Sequence, residues 1–340
     1  MSETVPGSFS PASWIASQVP PVPHLSFSNV TDRAPESVAA WQAAVRTRFA
    51  AILGGFPPTP SPLHARSLAE PVIVGGAYRR EEIAFESREG LPVFAYFLTP
   101  LSGPGPFPCM VCFHGHGYGV NAVVGLDEAG APLPEPDYHH SFAVQAVERG
   151  YAVLAIEILG FGRRIWGTNC QIPSGAALML GQTMAGWRAY DGMRAIDYAL
   201  TRPEVDGNRI AAMGISGGGL NTLFLAALDE RIKAAMVSGF LNEFSSSVMS
   251  IDHCIDNFMP GLRLDLEMSD IAGAVAPRGL WCENGERDPI FPVAAFRRAI
   301  DETAKVYDAL GCPERLHGHV FDDEHRFDGV GCWEFLAGLV

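Results

Sequence analysis

One serine stands among glycines in MGISGGG, residues 213–219, and two later segments carry side chains able to activate it. A serine hydroxyl is a weak nucleophile near neutral pH. It attacks a carbonyl only when an imidazole takes its proton and a carboxylate holds that imidazole in the right tautomer. ENGERDP (283–289) offers Asp288, and DDEHRF (322–327) offers His325. Serine, then carboxylate, then histidine is one of the chain orders in which such a triad is built. Ser216, Asp288 and His325 are therefore the candidate catalytic residues. Asp322, Asp323 and Glu324 are nearer rivals for His325, but residues adjacent in sequence rarely support an imidazole from behind. Asp288 has a second reading, as a residue at a helix N-terminus.

Acyl transfer also needs N–H donors aimed at the developing oxyanion. Gly214-Ile215-Ser216-Gly217-Gly218 fits a sharp strand-to-helix turn that lifts a serine clear of a sheet, and the N–H of Gly217 then faces the same space. FHGHGYG (113–119) follows an apolar run and supplies the second donor; the N–H of His116 is the first choice and that of Gly117 the next. His114, Gly115 and Gly117 of this loop, with Phe161, Arg163 and Trp166 beyond another strand end, are the candidate substrate-binding residues. Arg163 suits a substrate carboxylate or an ordinary ion pair equally. Phe244, Met249, Phe258 and Met259 fit an apolar acyl wall, or simply bury their own segment. The HxH and HH spacings of His114, His116, His139 and His140 are compatible with zinc, a reading ranked below the serine chemistry, which calls for neither metal nor organic cofactor.

The elements that would carry these residues alternate. FPCMVCF (107–113), YAVLAIEI (151–158), RIAAM (209–213), IKAAMVSG (232–239), RGLWCENG (278–285) and RLHGHVF (315–321) read as strands. Helices are expected at 37–53, 140–150, 182–201, 217–229, 292–310 and 330–339; Ala189, Met193, Ile196 and Leu200 recur at helical spacing in the third. Residues 72–100 read as two paired strands at one edge, turning at Arg88-Glu89-Gly90. The fold class is α/β, a mostly parallel sheet flanked by helices. Residues 1–70 form an N-terminal arm, irregular to about residue 30 and then helical. Residues 71–340 form the catalytic domain, with a cap-like insertion at 240–272 after the sixth strand, over the strand ends where ligands bind.

Of 340 residues, 48% are hydrophobic and 18% charged, enough to bury a large core. A formal net charge of −14 argues against nucleic-acid and anionic-membrane partners, which call for basic patches. Cys109 and Cys112 form a CxxC inside an apolar strand, where residues three apart point to opposite faces, so they read as buried side chains. The odd count of seven cysteines and an N-terminus without basic and apolar leader regions point to a reduced, cytoplasmic setting. A homo-oligomer stays open.

Taken together, HGHG (114–117), GWRAYDGMRAIDY (186–198), RPEVDGNRI (202–210), MGISGGG, ENGERDPIFP and DDEHRF resemble the α/β-hydrolase superfamily, and within it the dienelactone-hydrolase-like and acetyl-xylan-esterase-like carboxylesterases. The likeness spans roughly residues 75–340. It implies an α/β-hydrolase fold and ester hydrolysis with Ser216, Asp288 and His325 as triad. Dienelactone hydrolases proper carry Cys where this chain has Ser216, and secreted xylan esterases carry signal peptides, so the expected substrate is a small soluble ester. Rivals on the same core are a prolyl-oligopeptidase-type peptidase, a C–C bond hydrolase or acyltransferase, and a non-enzymatic ligand receptor.

Overall fold

The computed structural model describes residues 9–340. Its helices are α1 (Ala12–Gln18), α2 (Pro35–Ile52), α3 (Phe142–Glu148), α4 (Gln171–Met179), α5 (Met184–Ala199), α6 (Gly217–Leu228), α7 (Leu262–Asp265), α8 (Met268–Gly273), α9 (Val293–Ala309) and α10 (Cys332–Ala337). Its strands are β1 (Arg66–Ser67), β2 (Val72–Val74), β3 (Tyr78–Arg88), β4 (Leu91–Pro100), β5 (Phe107–Phe113), β6 (Ala152–Ile156), β7 (Val205–Ile215), β8 (Ile232–Ser238), β9 (Gly279–Gly285) and β10 (Leu316–Phe321). All join one sheet in the order β1-β3-β4-β6-β5-β7-β8-β9-β10, with β2 on β3. From β6 to β10 every pairing is parallel, while β3, β4 and their short neighbours pair antiparallel at one edge. The alternation in the sequence thus becomes an α/β sheet with helices on both faces.

Parallel strands are covered on both sides and so read as unbroken apolar runs. In β5, Cys109, Val111 and Phe113 enter one core cluster and Met110 and Cys112 the other. The CxxC is therefore split across the sheet, as its strand spacing requires. The helix expected at 37–53 is α2, with Pro35 in its first turn and Val38, Trp41, Val45, Phe49 and Ile52 buried along one face. Phe49 meets Phe224 of α6 edge-on at 4.7 Å; burying such a ring contributes roughly 1.5–3 kcal/mol.

Two expectations change in detail. The insertion follows the eighth strand, because β1 and β2, two and three residues long, are too short to leave a period. It holds α7 and α8. The arm is not irregular throughout: α1 forms there, although it buries no residue. Residues 1–8 of the arm, which carry part of the leader-region expectation, lie outside the described residues. Among the described residues, no helix is long and apolar enough to cross a membrane.

Asp270 in α8 ties the arm to the insertion by accepting from the N–H groups of Phe27 and Glu267, both at 2.9 Å. Burial pushes its carboxyl up from the ordinary 3.8 to about 7. A carboxyl raised in the folded state favours folding most when protonated. Its contribution is full below about pH 4 and is lost as pH rises through about 7. Asp270→Asn, uncharged throughout, is expected to gain on wild type across that window, by at most about 4 kcal/mol. Urea unfolding at pH 5 and pH 8 checks this; a constant gap between the two proteins contradicts it.

Candidate active site

Ser216 connects β7 to α6 with φ 59° and ψ −124°. A non-glycine residue held there stores on the order of 1–3 kcal/mol. The surrounding glycines allow the turn. A Cβ at Gly218 would lie 2.0 Å from the Phe113 carbonyl oxygen, and one at Gly214 would lie 2.5 Å from that of Gly218. Ser216 occupies the N-cap of α6, yet its hydroxyl caps no backbone N–H, which is the usual task of serine there. The turn is pinned instead by the Ser216 N–H donating to Ser238 O at 2.9 Å. The strained backbone thus leaves the hydroxyl uncommitted.

Asp288 lies past the end of β9 and His325 past the end of β10. His325 Nδ1 donates to Asp288 Oδ2 at 2.6 Å. The other carboxylate oxygen accepts from the N–H groups of Ile290 and Phe291 at 2.8 and 2.9 Å, so Asp288 organises the turn before α9 as well. Its side chain is fully buried. Of the nearer carboxylates, Asp322 pairs with Arg287 and Asp323 with Arg326. The His325 ring lies between Phe291 and Tyr138, with centroids at 5.7 and 6.0 Å. A Cβ at Gly239 would press within 2.8 Å of its Cε1. Its Nε2 is buried and has no partner. With Nδ1 donating, Nε2 is the nitrogen that can accept a proton.

No hydrogen bond among the described residues engages the N–H groups of His116, Gly117 or Gly217. His116 Nδ1 lies 3.2 Å from where a Gly217 Cβ would be, so the β5 loop and the start of α6 face each other closely. The other loop positions turn inward. His114 is fully buried, with Nδ1 2.6 Å from Gly115 O and Nε2 3.0 Å from the donating N–H of Ile158. Gly115 gives its N–H to His139 Nε2 at 2.9 Å. Both therefore shape the loop rather than meet a ligand.

His139, singled out by the sequence only as a zinc alternative, is the brace that sequence reasoning missed. Its Nδ1 donates to Asp137 at 3.0 Å, which leaves Nε2 to accept from Gly115. Burial holds it below its ordinary pKa against the pull of Asp137. Tyr138 adds a hydrogen bond from its hydroxyl to His116 O at 2.6 Å. His139→Ala is expected to lower kcat by on the order of tenfold to a hundredfold with KM little changed, because it shifts a donor loop and not a binding wall. Steady-state kinetics on the folded variant check this, and a rise in KM alone contradicts it.

Phe161 packs edge-on against His114 and His116, at 5.4 and 4.9 Å. Arg163 is committed elsewhere: its guanidinium pairs with Glu82 at 2.9 Å and covers the Phe94 ring at 3.8 Å. Trp166 is exposed. Phe244, Met249, Phe258 and Met259 line an apolar groove of about 320 Å³ with Ile15 and Val19 of the arm, and no triad candidate lines it. The four histidines with zinc-like spacing do not assemble as a set. Among the described residues, His116 instead joins Cys170, Cys254 and Asp256.

The Abhydrolase family matches residues 21–325. A Bacillus subtilis (strain 168) protein assigned as a hydrolase, YtaP, is 31% identical over 224 residues, 65% of this chain and 73% of that one. A Bacteroides fragilis NCTC 9343 structure assigned as an acetyl xylan esterase superposes with a TM-score of 0.75 at 20% identity, covering 93% of this chain and 83% of that one. A glucuronoyl esterase from Solibacter usitatus gives 0.66 at 15%, covering 95% and 98%. The two structures share the fold, and the family match spans both the serine turn and His325: this chain belongs to the Abhydrolase family of α/β-hydrolases.

Proposed function

We propose that the protein hydrolyses small soluble carboxylic esters through an acyl-enzyme on Ser216. His325 Nε2 takes the hydroxyl proton as Ser216 attacks the ester carbonyl. Asp288 fixes the tautomer and stabilises the imidazolium. The N–H groups of Gly217 and His116, with Gly117 adjacent, receive the oxyanion; each donor of this kind is worth roughly 3 kcal/mol in the transition state. His325 returns the proton to the leaving alcohol, then draws one from water to release the acid.

The observation that carries this reading is the 2.6 Å Asp288–His325 contact, which leaves Nε2 buried and unpartnered, together with a strained serine that has no capping role and whose turn is pinned to Ser238, next to the Gly239 that abuts the His325 ring. The structural neighbours support esters as the substrate class, since those quoted are named as acetyl xylan and glucuronoyl esterases. The test is a p-nitrophenyl ester series from acetyl to octanoyl beside the matching anilides. Ester turnover with far slower anilide cleavage is expected. A folded protein inert on every ester, or one preferring anilides, overturns the reading.

A further inference from the structure

Next to the His116 loop, three separate segments bring four metal-type donors together. His116 comes from the loop after β5, Cys170 from the N-cap of α4, and Cys254 and Asp256 from the insertion. Their donor atoms all lie within 4.8 Å of one another. Zinc bonds of about 2.0–2.3 Å place tetrahedral donors about 3.3–3.8 Å apart, so side-chain adjustments of roughly an ångström, drawing the wider pairs in and parting the two sulfurs, would complete the set. We propose that His116, Cys170, Cys254 and Asp256 form a closed binding site for a zinc-class divalent ion.

The donor chemistry selects the ion. Two thiolates and an imidazole suit zinc rather than magnesium or calcium, which prefer oxygen. Two features point inward to a shared occupant. His116 Nε2 is buried without a hydrogen-bond partner, 3.8 Å from Asp256 Oδ2. The Cys170 and Cys254 sulfurs lie 2.9 Å apart. A disulfide would use the two sulfurs and leave the His116 nitrogen idle, whereas an ion employs all four groups. The carboxylate already has an outer shell: Arg188 Nη1 meets Asp256 Oδ2 at 2.6 Å, and Asn257 Nδ2 donates to Oδ1 at 2.7 Å. Such contacts orient metal ligands.

The charges balance as well. Two thiolates and one carboxylate carry three negative charges, met by the divalent ion and the buried Arg188. Without the ion, the cysteines as thiols leave Arg188 and Asp256 as a neutral pair. Binding therefore releases two thiol protons, and affinity rises with pH. With every donor from the protein the ion has no open position for substrate. It fastens the insertion and the α4 cap to the His116 loop; only the consequence for oxyanion binding rests on the esterase reading.

Cobalt(II) titration of the full reduced, chelator-stripped chain tests the site without any substrate. One cobalt per chain, with the visible bands of tetrahedral cobalt and thiolate charge transfer, displaced by zinc, is the expected result. His116→Ala should weaken binding at least tenfold, and Cys170→Ser with Cys254→Ser should remove the charge transfer. In the unmutated chain, zinc should slow alkylation of Cys254. Absence of charge transfer in the reduced wild type, its survival in the double variant, or Cys254 alkylation unchanged by zinc overturns the proposal. Because none of these readings involves hydrolysis, a failed metal site and a failed esterase assignment are told apart.

Discussion

Ser216→Ala is expected to lower kcat on the preferred ester by on the order of 10⁴ to 10⁶ while the fold stays intact. Without the hydroxyl no acyl-enzyme forms, and the N–H groups at 116, 117 and 217 retain only their weak effect on direct attack by water. Stability should change little. The hydroxyl caps no helix N–H, and alanine meets the same backbone strain at φ 59°. Equal melting temperatures would show that the loss is chemical. A loss below about tenfold, in a preparation free of contaminating esterase, would move the nucleophile elsewhere.

Asp288→Asn should cost on the order of 10⁴ in kcat. The asparagine oxygen can keep the N–H bonds from Ile290 and Phe291. Its amide then presents a donor to His325 Nδ1, where the native carboxylate accepts at 2.6 Å. The ring answers by placing its proton on Nε2, the tautomer that cannot accept from Ser216. Asp288→Ala would also cut the turn before α9, so the asparagine variant is the cleaner probe. Unchanged stability with a kcat loss under tenfold would return Asp322, Asp323 or Glu324 to contention.

The residues proposed for chemistry were legible because each follows a strand end and one is flagged by glycines. Ser216, Asp288 and His325 needed only the strands, the turn and the chain order. The parallel core was legible because strands covered on both faces leave apolar runs such as FPCMVCF. What stayed hidden is what long-range contact decides. His139 supports Gly115 from 24 residues away, and Cys170 meets Cys254 across 84. Neither pairing leaves a local period. Arg163 fits a substrate clamp or an ion pair equally well from its neighbours alone, and Glu82, 81 residues distant, settles its partner. The helix α4, QIPSGAALM, carries a proline and a glycine that mask its propensity.

The most direct test of the proposed nucleophile is covalent. A fluorophosphonate reacts with an activated serine and mimics the tetrahedral intermediate. Incubation of the active protein with a small excess, followed by intact mass and peptide mapping, should show one adduct per chain, located on Ser216, with ester turnover lost in proportion. Ser216→Ala should take up none. An adduct on another residue, or full ester turnover in a chain that stays unlabelled, would contradict the account.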